Sequence, residues 1–274
     1  MLQFVEQYPA LIVVILVLLI EWLLPLPEAY SPARACRALA FGFSKKLIKQ
    51  QSASLLRLFG WFTLATYLIF IGIFIFTLLF IAPDDVWTQG LLLYFSLGYQ
   101  ASANQINQVQ LALSNQQKTS ARALLASLTE FDTSKLSPLG LNKLSLEILT
   151  TRFFTEWLMP LLLFAVSNGV VAFLFRAVVE AQKAWHPRRL RHQEFGQAVT
   201  ACKNLIELLP TWFLAPVYSV FKTSPGWFRL YSSSIQAWRQ SRVSNSNLLV
   251  WLSIVSAGIK CEVAGPVMLA GNKF

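Results

Sequence analysis

The side chains that could do chemistry in this chain are few and scattered. Glu21 closes an apolar run, Arg152 and Glu156 stand four residues apart, Arg176 ends another apolar run, and Glu207 and Glu262 lie inside two more. Ionisable groups at membrane depth are costly, so each is an interfacial group, half of an ion pair or part of a polar cleft. The Arg152–Glu156 spacing puts both on one side of a helix and predicts a salt bridge or a polar pocket there. His186 and His192 are six residues apart in a basic loop, a poor spacing for one helical face, and read as solvated or headgroup-facing rather than as metal ligands. Cys36, Cys202 and Cys261 are odd in number and far apart, and read as small apolar fillers. There is no phosphate-cradling glycine loop followed by Lys-Ser/Thr, no His-Glu-x-x-His and no Gly-x-Ser-x-Gly. Taken alone, these residues predict a polar cleft between membrane helices.

The elements that must position them are unusually apolar. Of 274 residues, 55% are hydrophobic and 13% charged, with a mean hydropathy of +0.52; soluble domains carry about 25% charge. This balance excludes a soluble enzyme, a disordered chain and an ordinary nucleic-acid binder. It predicts an all-α, multi-pass integral membrane protein of about three to six membrane segments, with membrane lipid as a partner; the resemblance described below implies the cell (inner) membrane. Ala10–Leu24, Gly60–Ala82 and Trp157–Phe175 are the best spans, the last interrupted by Ser167-Asn168-Gly169. Val86–Tyr99 is apolar but short, and Leu205–Phe221, with Glu207, Pro210 and Pro216, reads as kinked or re-entrant. Leu248–Ala270 carries Lys260, Glu262 and Gly265-Pro266. Met1–Pro9 has no Lys or Arg, so the first apolar run lacks the basic flank of a signal peptide.

The net charge of +10 is concentrated in three stretches. Six basic residues lie between Glu28 and Phe59, six between Arg176 and Lys203, and Lys222, Arg229, Arg239 and Arg242 fall among aromatics in a segment suited to an interfacial amphipathic helix. The first two stretches are expected on the cytoplasmic side. That requires an even number of crossings between them, supplied by Gly60–Ala82 and Trp157–Phe175 if Val86–Tyr99 does not cross; Gln116 then lies outside. Gln100–Gln117 is rich in Asn, Gln, Ser and Ala, and Ala121–Thr129 and Asn142–Thr151 are helix-like, with a turn at Ser137-Pro138 and Gly140. The resulting division is 1–99 for the N-terminal membrane helices with a basic loop at 28–59, 100–156 for a polar helical connector, and 157–274 for a C-terminal membrane region.

Several positions carry a collinear pattern. Phe131-Asp132-Thr133 precedes Leu136, Glu147 stands thirteen residues before Pro160-Leu161, and Phe175-Arg176-Ala177-Val178 is followed by Phe195-Gly196. Pro210, Ser244–Asn247 and Val263-Ala264-Gly265-Pro266 continue the order, and Glu21, Pro27 and Ser31-Pro32 precede it. In order and spacing these resemble the CobD/CbiB family, the membrane adenosylcobinamide-phosphate synthases of cobalamin biosynthesis, and the related AmpE-type membrane proteins.

The resemblance implies an ATP-dependent, amide-forming ligase that joins aminopropanol or its phosphate to a carboxylate of cobyric acid, with ATP and Mg²⁺ as cofactors and a corrinoid as substrate. It implies Asp132, Glu147 and Asn247 as catalytic residues and Arg176, Thr133 and Glu21 as substrate-binding ones. It assigns no metal ligand and no nucleic-acid partner. The chain also departs from the family pattern. Thr151-Arg152 replaces Glu-Asn, Thr155 replaces an Asp, Glu180-Ala181-Gln182-Lys183 falls where Thr-x-Asp-Ser is expected, and Cys202-Lys203-Asn204 where Leu-Asp-Asp is expected. Loss of these acids sets a second reading beside the first: a non-catalytic, AmpE-like inner-membrane regulatory or scaffold protein. A third, an unrelated transporter, would draw on the broken helices at Ser167-Asn168-Gly169 and Leu205–Phe221.

Overall fold

In the computed structural model, the described residues are 9–27, 30–47, 52–82, 85–129, 133–134, 136–186, 194–222, 251–252, 268–269 and 272–273. They form ten α-helices: α1 Pro9–Leu23, α2 Pro32–Leu47, α3 Ala53–Ile81, α4 Asp85–Ser96, α5 Tyr99–Ser114, α6 Lys118–Leu128, α7 Pro138–Phe153, α8 Met159–Val166, α9 Gly169–Ala184 and α10 Gln197–Lys222. A π-helical turn, Phe154–Leu158, joins α7 to α8. The all-α expectation holds except for a two-residue antiparallel pairing of β1 (Met268–Leu269) with β2 (Asn272–Lys273). The chain divides into two compact units, 1–101 with 155–203, and 102–154 with 204–274.

In the first unit α9 is the central helix, packed on α2, α3, α4 and α8, while α1 packs on α4. Helix α3 shows why a membrane is needed. It buries one stripe, Gly60, Thr63, Leu64, Tyr67, Ile71 and Ile75, at helical spacing. Around the rest of its surface Phe62, Ile69, Phe70, Ile73, Phe74, Phe76 and Phe80 are all more than half exposed. A solvated helix would carry charge on that face, whereas hydrocarbon accepts it. At 29 residues the helix reaches about 43 Å, enough to cross. Two continuous helical runs are long and apolar enough to span, Ala53–Ile81 and Pro138–Val166. Together with the family assigned below, they point to a membrane protein.

Hydrogen bonds lock α2 and α3 to α9. The Tyr67 hydroxyl donates to the carbonyls of Cys36 and Ala177, each at 3.2 Å, and the Trp185 indole donates to Ala40 at 2.8 Å. Gly60 lies against the Phe195 carbonyl so closely that a Cβ would collide with it. In the second unit, Ile106 and Val109 of α5, Ala121 and Leu125 of α6 and Leu141 and Leu144 of α7 close a small apolar core. Ser137 caps α7, its hydroxyl accepting from the Gly140 N–H at 3.2 Å, with Pro138 in the first turn.

One expectation changes. Trp157–Phe175 is not one span: α8 ends at Val166 and α9 begins at Gly169, because the Asn168 side chain accepts from the Val171 N–H at 3.0 Å and caps a new helix. The result is a helical hairpin. Leu205–Phe221, expected to be kinked or re-entrant, lies within the helix α10, whose assignment runs through Pro210 and Pro216. Helix α4, which takes up most of Val86–Tyr99, is 12 residues long and is not among the described helices long and apolar enough to span. Gln89 lies by Gly169 and Gly98 by Arg176, so α4 runs parallel to α9, back toward the basic stretches. The ion pairs Arg37–Glu180 and Arg57–Glu194 join the two basic stretches directly.

Candidate functional site

Helix α9 carries Arg176, Glu180 and Lys183 on one face, spaced four and three residues apart. The π-helical turn supplies Glu156 to the same place, and α2 supplies Arg37. At the junction Phe154 donates its backbone N–H to both Thr150 and Thr151, and the π-helical turn follows over Phe154–Leu158. One extra residue in the turn shifts the phase of everything after it. The Arg152–Glu156 bridge expected from i,i+4 spacing is therefore absent. Arg152 donates instead to the Ser102 hydroxyl at 2.8 Å and the Leu128 carbonyl at 3.4 Å, while Glu156 joins the α9 cluster.

The cluster is buried and tightly bridged. Glu156 and Glu180 are 1% and 0% exposed. The Lys183 ammonium donates to Glu156 Oε1 at 2.6 Å and to Glu180 Oε1 at 2.7 Å. Arg176 approaches the same two oxygens at 3.4 and 3.2 Å, and Arg37 Nε donates to Glu180 Oε2 at 2.7 Å. Gly98 leaves room for the guanidinium: a Cβ there would sit 2.8 Å from Arg176 Nη2. Burial opposes ionisation of Glu180, but Lys183, Arg176 and Arg37 outweigh it and hold the carboxyl below the usual carboxylate range. The Cys36 thiol, one residue from Arg37, is pushed up to about 11 by burial first and the Glu180 charge second, as befits an inert filler.

The residues expected from sequence are distributed as follows. Arg176 sits at the centre of the cluster. Glu21 is buried at the end of α1, close to Tyr99, Gln100 and Trp157 and within the field of Arg176, with its Oε1 left without a hydrogen-bond partner. Thr133 and Glu147 belong to the second unit. Thr133 is buried, its hydroxyl donating to the Arg122 carbonyl at 3.2 Å in the turn before α7, and Glu147 is half-buried on α7. Asp132 and Asn247 lie outside the described residues, as does His192. Glu207 is buried on α10. Glu156 is expected from sequence only beside Arg152, and Glu180, Lys183 and Arg37 are not singled out there as site residues. The 176–180–183 spacing was a readable signal for two of them; nothing local pointed to Arg37.

The family model described as CobD/Cbib protein matches residues 14–271. The chain belongs to the CobD/CbiB family. Membership covers nearly the whole chain and points to cobalamin biosynthesis. No curated protein and no solved structure matches it.

The resemblance implied Mg²⁺, a hard cation that wants oxygen ligands carrying uncompensated negative charge. The described residues do not fit it. Glu156 and Glu180 face each other as such ligands would, but Lys183, Arg176 and Arg37 already neutralise them, three cations to two carboxylates. Among the described residues no group of three or more His, Cys, Asp and Glu is placed to hold an ion.

Proposed function

We propose that this CobD/CbiB member acts in cobalamin biosynthesis at the membrane, at the amide-forming step that attaches aminopropanol or its phosphate to a carboxylate of cobyric acid. The observation that supports this reading is the family match over residues 14–271, which takes in both units. Arg176, buried at the centre of the first unit, is the group we assign to an anionic part of the substrate, and Glu21 lies in its field. The cationic excess of the Arg176 cluster suits a carboxylate or phosphate better than a metal ion.

A second reading has a specific observation in its favour. The two described carboxylates best placed for chemistry are already ion-paired, as in a structural cluster, which suits a non-catalytic AmpE-like membrane protein with a regulatory or scaffold role. Complementation separates the two. A strain lacking its own synthase and supplied with cobyric acid is expected to grow when it carries this chain. No growth despite good membrane expression would favour the non-catalytic reading.

A further inference from the structure

The helices of the first unit differ in reach. Helix α3 has 29 residues, enough to cross, whereas α1 has 15 and α4 has 12, about 22 and 18 Å against a hydrocarbon core of about 30 Å. Hydrogen bonds show where the short helices stop. Tyr67 of α3 meets the carbonyls of Cys36 and Ala177, so the Arg176 cluster begins at the level of Tyr67. Along α3 that level is about 15 Å from Arg57, whose ion pair with Glu194 marks the charged end of the helix, and about 21 Å from Ile81. The cluster therefore begins near mid-span. At the same depth α4 has ended, and the non-helical Gly98 lies against Arg176. One turn earlier the Tyr94 hydroxyl donates at 2.9 Å to the carbonyl of Leu24, an exposed residue just past the end of α1. Non-helical backbone at membrane depth persists only where protein covers it or where it lines water.

Helix α2 carries charge at this depth on one flank. By helical spacing Arg34, Arg37, Ala38 and Lys45 share that flank, and Leu39 and Phe43 lie on the other. Arg34 is exposed, and the side chains of Arg37 and Lys183 are 35% and 28% exposed. Cations at such depth face a bundle interior or water, not lipid. We infer that an aqueous crevice, open on the side of the basic stretches, enters the membrane beside the charged flank of α2 and draws small water-soluble anions to the Arg176 cluster. Arg34, Arg37, Arg176 and Lys183 outnumber Glu21, Glu156 and Glu180, so the inner end carries net positive charge. A narrow opening with low-dielectric walls focuses that field. The crevice goes beyond the proposed function and stands whether or not the chain forms an amide.

Thiol labelling of the full chain in inverted membrane vesicles tests it, with membrane-impermeant methanethiosulfonates as probes and peptide mass spectrometry to place each adduct. Ala38→Cys, which keeps every charge, is expected to react from the cytoplasmic face. Leu39→Cys on the other flank and Phe70→Cys, one turn from Tyr67 on the exposed face of α3, are expected to stay unlabelled until detergent and denaturant are added. At Ala38→Cys a sulfonate-bearing reagent is expected to gain about tenfold over a trimethylammonium-bearing one, relative to their rates with free cysteine. An Ala38→Cys chain that labels only after denaturation overturns the crevice. Labelling of Phe70→Cys or Leu39→Cys as fast as Ala38→Cys also overturns it, since that depth would then lie outside the hydrocarbon layer. A rate ratio equal to that with free cysteine, or one favouring the cationic reagent, overturns the attraction of anions. Should Ala38→Cys fail to accumulate, Arg34→Cys on the same flank gives the same accessibility reading.

Discussion

At the scale of single residues, the behaviour of this protein turns on how buried charge is matched. Glu180 accepts from Arg37 and Lys183 and lies 3.2 Å from Arg176, with none of its surface exposed. Removing one partner of a buried ionic group leaves the others uncompensated, at a cost of about 3–5 kcal/mol. Glu180→Gln is therefore expected to lower stability by that order, measured by denaturant unfolding in detergent; a change inside experimental error would show that the cluster contributes no stability. The same contacts set a pH signature. The Glu180 carboxyl titrates below its ordinary value of 4.5 in the folded chain. Its contribution is complete above 4.5 and is lost as pH falls through the lower folded value. The gap between wild type and Glu180→Gln should accordingly narrow as the medium is acidified below that value. A gap that stays constant would mean that Glu180 does not titrate differently in the fold.

At the scale of elements, the breaks matter more than the runs. Asn168 stops what composition alone reads as a single apolar span and starts α9, so it decides that Arg176 points back into the bundle. Asn168→Ala removes the bond to the Val171 N–H and is expected to cost about 1 kcal/mol, read as a fall in the unfolding midpoint; an unchanged midpoint would assign the break to other contacts. Sequence pattern revealed much of this level. The apolar faces, the Ser137-Pro138 start of α7 and the interruption at Ser167-Asn168-Gly169 are local signals, because caps and turns rest on residues close in sequence. The π-helical turn was not legible. It changes the helical phase by one residue with no Gly or Pro inside it, only Pro160 just beyond, and so turned the expected Arg152–Glu156 bridge into two separate sets of contacts. Arg37 was invisible for a different reason: its partner lies 143 residues away, and only packing of α2 on α9 brings them together.

At the scale of the molecule, the charge distribution and the contacts agree on sidedness. The positive-inside rule puts the two basic stretches together, and the ion pairs Arg37–Glu180 and Arg57–Glu194 join them directly. Because α4 runs alongside α9 toward that same side, a reporter fused after Ala101 is expected to read cytoplasmic, and so is one fused at Gln51. An external signal after Ala101 would favour the arrangement in which Val86–Tyr99 stays out of the crossings. Family membership spans both units and points to cobalamin biosynthesis, within which the amide-forming step is our proposal. The most direct measurement is the corrinoid pool of a synthase-deficient strain carrying this chain and fed cobyric acid, resolved by mass spectrometry. The account predicts a corrinoid heavier than cobyric acid by one amide-linked aminopropanol or aminopropanol phosphate, dependent on the chain. A pool that remains unconverted cobyric acid, with the protein well expressed in the membrane, would contradict it.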